Sequence, residues 1–172
     1  MKGVRPAVSL LLLLAATTGC GGEAGVEPHG DAVDTVVVYF TRGGRQEAVR
    51  RDIALTSAPL EPAIRALLAG PTPAERQAGY TSHFSESTAA AFNRVEIRSD
   101  GLAFVDLFDF SKVAPSGADG GGAQLLAELN LTVFQFEQVR SVIYRFDGSC
   151  TRFWNWLERA CETVRRADVT MP

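Results

Sequence analysis

The sequence predicts an α+β fold, a two-layer sandwich in which two helices cover one face of a mixed β-sheet. Three observations predict it. Runs of β-branched and aromatic residues alternate with two leucine stripes of helical period, in the order β-β-α-β-β-α-β. An Asp-Gly pair joins two alternating runs as a hairpin. The chain has 172 residues, 46% hydrophobic and 22% charged, without an internal repeat, which suits one globular core.

The first strand is Thr35 to Phe40 (TVVVYF), closed by the turn residues Arg42-Gly43-Gly44. Val49 to Thr56 is a second strand of mixed polarity, suited to a sheet edge. Leu60, Ile64, Leu67 and Leu68 then fall on one stripe of an amphipathic helix. Gly70-Pro71 ends it, Gly as the cap and Pro as a residue that cannot continue. Thr72 to Ala91 reads as a long connection. Phe92 to Arg98 and Leu102 to Phe108 are paired strands around Ser99-Asp100-Gly101. A glycine-rich loop, Gly117 to Gly122, leads into a second helical stripe through Leu125, Leu126, Leu129 and Val133. Val139 to Phe146 is the last strand, closed by Asp147-Gly148.

The amino terminus addresses the chain to the cell exterior. Lys2 and Arg5 precede the apolar run Ala7 to Ala16, and Thr17-Thr18-Gly19-Cys20 follows. A basic start, a short apolar segment and a small-residue exit describe a secretory signal, residues 1–19. The run is shorter than the roughly 20 apolar residues that a spanning helix needs. Gly19-Cys20 resembles a bacterial lipobox, with Thr17 where Leu is usual, so Cys20 is expected to carry acyl chains and hold the protein to the membrane. Two lipid signals on one residue make such an anchor stable. Residues 20–33, polar and glycine-rich, read as a flexible tether that includes His29. The domain is expected over 34–148, with a disulfide-closed C-terminal tail over 149–172.

An oxidising exterior suits the remaining cysteines, Cys150 and Cys161, to a disulfide. It closes a short loop, and the chain-entropy model gives it about 3 kcal/mol at most. Zinc would need four ligands, and His29 and His83 are remote in sequence. No metal and no cofactor is expected. The net charge is −3, and loss of Lys2 and Arg5 with the signal leaves 15 basic against 20 acidic residues, or −5. An acidic protein carries no electrostatic footprint for nucleic acid.

Residues able to do chemistry are few. Ser82, His83 and Ser85 would need Asp106 or Asp109 folded beside them to form a hydrolytic relay, and no nucleophile-elbow motif enforces that. His83 reads as a surface or loop-packing residue. Asp106 and Asp109 suggest a carboxylate pair for glycosidic or metal chemistry. Alternation sets Asp106 opposite Val105 and Leu107, so the plainer reading is a solvated face or a turn cap. The glycine loop lacks the Lys-Ser/Thr of a phosphate-binding loop. Trp154 and Trp156 read as lid packing, with a sugar-stacking platform as the alternative.

Several elements, in order, resemble the GerMN family, also called the sporulation and spore germination domain. They are Val36-Val37-Val38-Tyr39-Phe40, then Ala66-Leu67-Leu68-Ala69-Gly70-Pro71, then the hairpin strand Asp100 to Leu107. Asn130-Leu131-Thr132-Val133-Phe134 leads on to Val139 and Val142, and Phe146-Asp147-Gly148 closes the set. The resemblance spans Val36 to Gly148. It implies a sandwich like the ring-building motifs of envelope channels, and a non-enzymatic module often borne on lipoproteins. No catalytic residue carries over from the family. One copy of the domain and a Cys150–Cys161 tail depart from the two-copy spore protein. The expectation is an envelope interaction or assembly module in sporulation, germination or general envelope physiology, whose partner is an envelope protein or a second copy. A wall-glycan-binding module is the alternative, and an envelope hydrolase the weaker one.

Overall fold

The β-branched run extends further than its sequence signal. In the computed structural model, which describes residues 33–114 and 121–172, β1 spans Val33–Arg42 and β2 spans Arg45–Ala54. They pair antiparallel from Val33↔Ala54 to Arg42↔Arg45 without a bulge. Gly43 and Gly44 form the connection with φ of 57° and 78°, the doubly left-handed turn whose twist matches a two-residue hairpin. The first helix stripe and the expected stop give α1, Leu60–Leu68, with Leu60, Ile64, Leu67 and Leu68 all buried.

The connection that follows holds structure of its own. Helix α2 is Pro73–Gln77, opened by Thr72 and Glu75 in a reciprocal capping box, and β3 is Tyr80–Thr81. One turn of 3₁₀ helix at Glu86–Thr88 precedes the hairpin β4, Phe92–Ile97, and β5, Leu102–Leu107. Helix α3 is Gly121–Phe134 and β6 is Ser141–Phe146. The expected tail is built into the domain. Helix α4, Cys150–Trp156, packs on β6, and β7, Val164–Arg165, pairs with it. Ser149 caps α4 by accepting the Arg152 N–H at 3.2 Å.

The strands divide between two sheets, ordered β2-β1-β3 and β4-β5-β6-β7. The second is the mixed sheet, with β5 and β6 parallel and the other pairs antiparallel. Its inner face aligns Ala103, Val105 and Leu107 with Val142, Tyr144 and Phe146, all buried. Helices α1 and α3 pack on each other and both reach β1, and one apolar core joins all these elements.

The separation of the sheets has a cause in α3. Where β1 would take another strand, it meets side chains. Thr132 Oγ1 accepts the Tyr39 N–H at 3.2 Å and Gln135 Oε1 accepts the Val37 N–H at 2.9 Å. Gln135 Nε2 donates to the Val37 carbonyl at 2.6 Å, and Thr41 Oγ1 donates to Glu128 at 3.0 Å. A buried strand edge must satisfy its polar groups. Here a polar stripe of helix does what a neighbouring strand would do.

Candidate functional site

The residues able to do chemistry are held in structural roles. Ser82 Oγ donates to Glu128 and accepts the Phe84 N–H at 3.0 Å. Ser85 Oγ bonds Ser87 Oγ at 2.8 Å. His83 is half-buried, burial pushes its pKa below the usual 6.5, and it makes no hydrogen bond to a serine or an aspartate. Thus no Ser-His-Asp relay exists among the described residues.

Of the two plain readings of Asp106, a solvated face or a turn cap, the structure overturns the first. Asp106 lies on the sheet face opposite Val105 and Leu107, yet only 2% of it is exposed. One oxygen accepts the Gly148 N–H at 2.7 Å and the other accepts Asn93 Nδ2 at 3.1 Å, with the Arg94 guanidinium at 3.6 Å. The carboxylate therefore pins the β6–α4 turn, where Asp147 adopts a φ of 48°. Asp109 is exposed and accepts the Ser111 N–H at 2.9 Å. Its bonding to Ser111 holds its pKa below the ordinary aspartate value. The two carboxylates serve separate turns. Among the described residues, no group of three or more His, Cys, Asp or Glu side chains could hold a metal ion.

The stacking platform considered for Trp154 and Trp156 is likewise not formed. Trp154 is fully buried. Trp156 is half-buried, with its ring edge-on to Phe110 at 5.2 Å and tilted on Phe146 at 5.2 Å. Cys150 and Cys161 are joined, with Cα atoms 5.5 Å apart, which ties the start of α4 to the segment leading into β7. Cys20 and the tether to residue 32 lie outside the described residues, as do Gly117–Gly120 of the glycine loop. Gly121 and Gly122 open α3.

Two surfaces remain as candidates. One is a cleft of about 540 Å³ between α3 and the C-terminal segment, lined among others by Asn130, Trp154, Arg159, Glu162 and Asp168. Arg159 and Glu162 pair with each other at 2.8 Å. The Nε1–H of Trp154 is buried and has no acceptor among the described residues. A buried indole N–H usually finds a partner.

The other is the outer edge of β2. This strand is 10 residues long, lacks proline and bulge, and has no strand on its outer side among the described residues. It is held rigidly. The Arg51 guanidinium grips Glu75 of α2 with two bonds of 2.7 and 2.6 Å, and that contact lowers the Glu75 pKa. Glu47 accepts from Tyr80 Oη at 3.1 Å. Sequence reasoning placed this strand at an edge but began it at Val49. Its charged first half, Arg45 to Glu47, hid the strand period, and the Gly43-Gly44 turn was the signal that could have found it.

Comparison with known proteins agrees with this architecture. A sequence search of curated proteins finds no match. Among solved structures, the tandem GerMN domains of the Bacillus subtilis sporulation protein GerM align at TM-score 0.54 and 19% identity. The alignment covers 86% of this chain and 49% of that one. The first GerMN domain of the same protein aligns at TM-score 0.49 and 18% identity over 67% of this chain and 84% of that one. A crystal structure of a candidate lipoprotein from Clostridium perfringens gives 0.46 and 14% over 80% and 90%. The family model described as sporulation and spore germination, Germane, matches residues 37–150, from the middle of β1 to the first residue of α4. The chain belongs to the GerMN family.

Proposed function

We propose that this protein is a lipid-anchored, extracytoplasmic lipoprotein whose GerMN domain is a non-catalytic interaction and assembly module of the cell envelope. Sporulation and germination are the setting that the family description supplies. The observation that carries the reading is the long open edge of β2, rigid and rich in charge, on a domain whose reactive side chains are engaged in turns and core. Exposed strand edges are templates for another chain. Among the described residues no helix is long and apolar enough to cross a membrane. The lipobox-like Gly19-Cys20 after the apolar run supports attachment through Cys20.

The test is metabolic labelling with an alkynyl fatty acid. The wild-type chain should take up label and Cys20→Ser none. Equal labelling of the two would remove the anchor from the proposal. In situ crosslinking of the anchored chain should then yield an adduct with itself or with an envelope protein. A chain that gives neither is not an interaction module.

The cleft favours a second reading, a module that holds wall glycan. Its volume lies in the range of ligand pockets, and the exposed Asp168 carboxylate offers a hydrogen-bond acceptor in it. Retention of the secreted domain on insoluble peptidoglycan should fall in Asp168→Ala, which removes an exposed acceptor from the cleft. Absence of retention by the unaltered domain would discard this reading.

A further inference from the structure

We infer that β2 is a homodimer edge, with two copies pairing antiparallel about a two-fold axis through Val49. The inference rests on the interaction-module reading and names its partner as a second copy of this chain.

The hydrogen-bond pattern of the hairpin decides which groups are free. In β1, Val37 and Tyr39 turn their N–H groups toward α3. Alternation along a strand therefore turns Val36, Val38, Phe40 and Arg42 toward β2. Their opposites, Arg51, Val49, Glu47 and Arg45, spend their backbone groups inside the hairpin. Gln46, Ala48, Arg50 and Asp52 are left directing N–H and C=O outward, where no strand lies among the described residues.

Symmetry then restricts the register. In an antiparallel sheet, opposed residues lie on the same face, and a two-fold axis normal to the sheet preserves each residue's face. The axis must therefore pass where a residue opposes itself. The two longest overlaps place it at Val49 or at Arg50.

Charge chooses between them. About Arg50, the two guanidinium groups stand opposed and repel. About Val49, two valines meet at the centre. Glu47 opposes Arg51 of the second copy on both sides of the axis, and Gln46 opposes Asp52. Ala48 and Arg50 supply the central pair of outward backbone groups, and the Arg50 carbonyl, which accepts from Arg51 Nη1 at 3.1 Å, keeps a second lone pair for the Ala48 N–H of the second copy. Glu47 keeps its bond to Tyr80, and Arg51 its grip on Glu75, because a carboxylate and a guanidinium each serve several partners. Confinement to a membrane surface through Cys20 raises the effective concentration of the second copy.

The experiment uses the full anchored chain in membranes, with single cysteines tested by mild oxidation and non-reducing electrophoresis. Opposed residues without mutual backbone bonds have Cα atoms about 4.5 Å apart, within disulfide reach. Val49→Cys should give a band at twice the chain mass, exceeding the Arg50→Cys band roughly fivefold. Arg50→Pro removes an outward N–H and leaves the bonds to β1 intact, so it should abolish the Val49→Cys band while the circular dichroism spectrum is retained. A stronger Arg50→Cys band, or a Val49→Cys band that survives Arg50→Pro, overturns the pairing. If Val49→Cys joins only other envelope proteins, the dimer is overturned while the interaction reading stands.

Discussion

Gly70→Ala is expected to lower the unfolding free energy by about 4 kcal/mol, the sum of a left-handed backbone and an overpacked contact. Gly70 has a φ of 71° and follows the last turn of α1, donating its N–H to the Leu67 carbonyl at 2.9 Å. A methyl group there would lie 2.3 Å from the Phe84 carbonyl oxygen and 2.8 Å from the Ser85 Cα. Both are backbone atoms, so no side chain can swing aside. The segment they belong to is itself fixed. Phe84 is 1% exposed, and Thr88 Oγ1 donates to the Leu68 carbonyl at 2.6 Å. Gly79→Ala supplies the control. Gly79 also has a positive φ, 91°, but a methyl group there meets nothing within 4 Å. It should cost only about 1 kcal/mol. Denaturant midpoints of both variants separate the two causes. Equal losses would mean that the close approach of α1 to residues 84–85 does not constrain the fold.

Gly70-Pro71 reads in sequence as a helix stop, but its second role is invisible there. The contact partner lies beyond an intervening helix and strand, and nothing in Pro71 to Phe84 announces the return. The same limit governs the rest of what sequence could and could not show. The β4–β5 hairpin was legible because Asp100-Gly101 is a local instruction that needs no distant partner, whereas Gly43-Gly44 read only as the turn that closes β1. Helix α1 was legible because its apolar stripe faces one core. The apolar residues of α3 were legible too, but Glu128 and Thr132, with Gln135 just beyond the helix, look in sequence like a solvent face. Their acceptors and donors point at an edge of β1 nearly a hundred residues earlier. A sheet that ends on a helix cannot be told from one that continues, so one mixed sheet was expected where two exist. Asp106 failed the solvated reading for a related reason. The turn that covers it, Asp147-Gly148, comes from a strand paired in parallel, a contact that no local period encodes. Helix α4 had a readable start at Ser149, but the disulfide suggested a loop and masked it.

Glu128→Ala is expected to cost about 3 kcal/mol, because it strands buried donors as well as emptying space. Glu128 is fully buried. It accepts from Thr41 Oγ1 at 3.0 Å, from Gln124 Nε2 at 2.9 Å and from Ser82 Oγ, and it forms no ion pair among the described residues. Burial raises its pKa above the ordinary 4.5, and the three hydrogen bonds only partly counter that. Between the ordinary value and the raised one, the native state holds a proton that the unfolded chain has released. Stability contributed by this group is therefore present below about pH 4.5 and falls as pH rises through the raised value. Glu75 and Asp109, both lowered, lose their contributions as pH falls below the ordinary carboxylate range. His83, lowered from 6.5, penalises the native state as pH falls through that value. These opposing slopes cancel in a comparison between variants. Glu128→Gln keeps the shape and cannot ionise, so the wild type minus Glu128→Gln difference in unfolding free energy should shrink steadily from pH 4.5 to 7. A difference that is flat or grows with pH would show that the carboxylate joining β1 to α3 is charged and solvated in the native protein. The polar stripe of α3 would then not be the buried seam that keeps the two sheets apart.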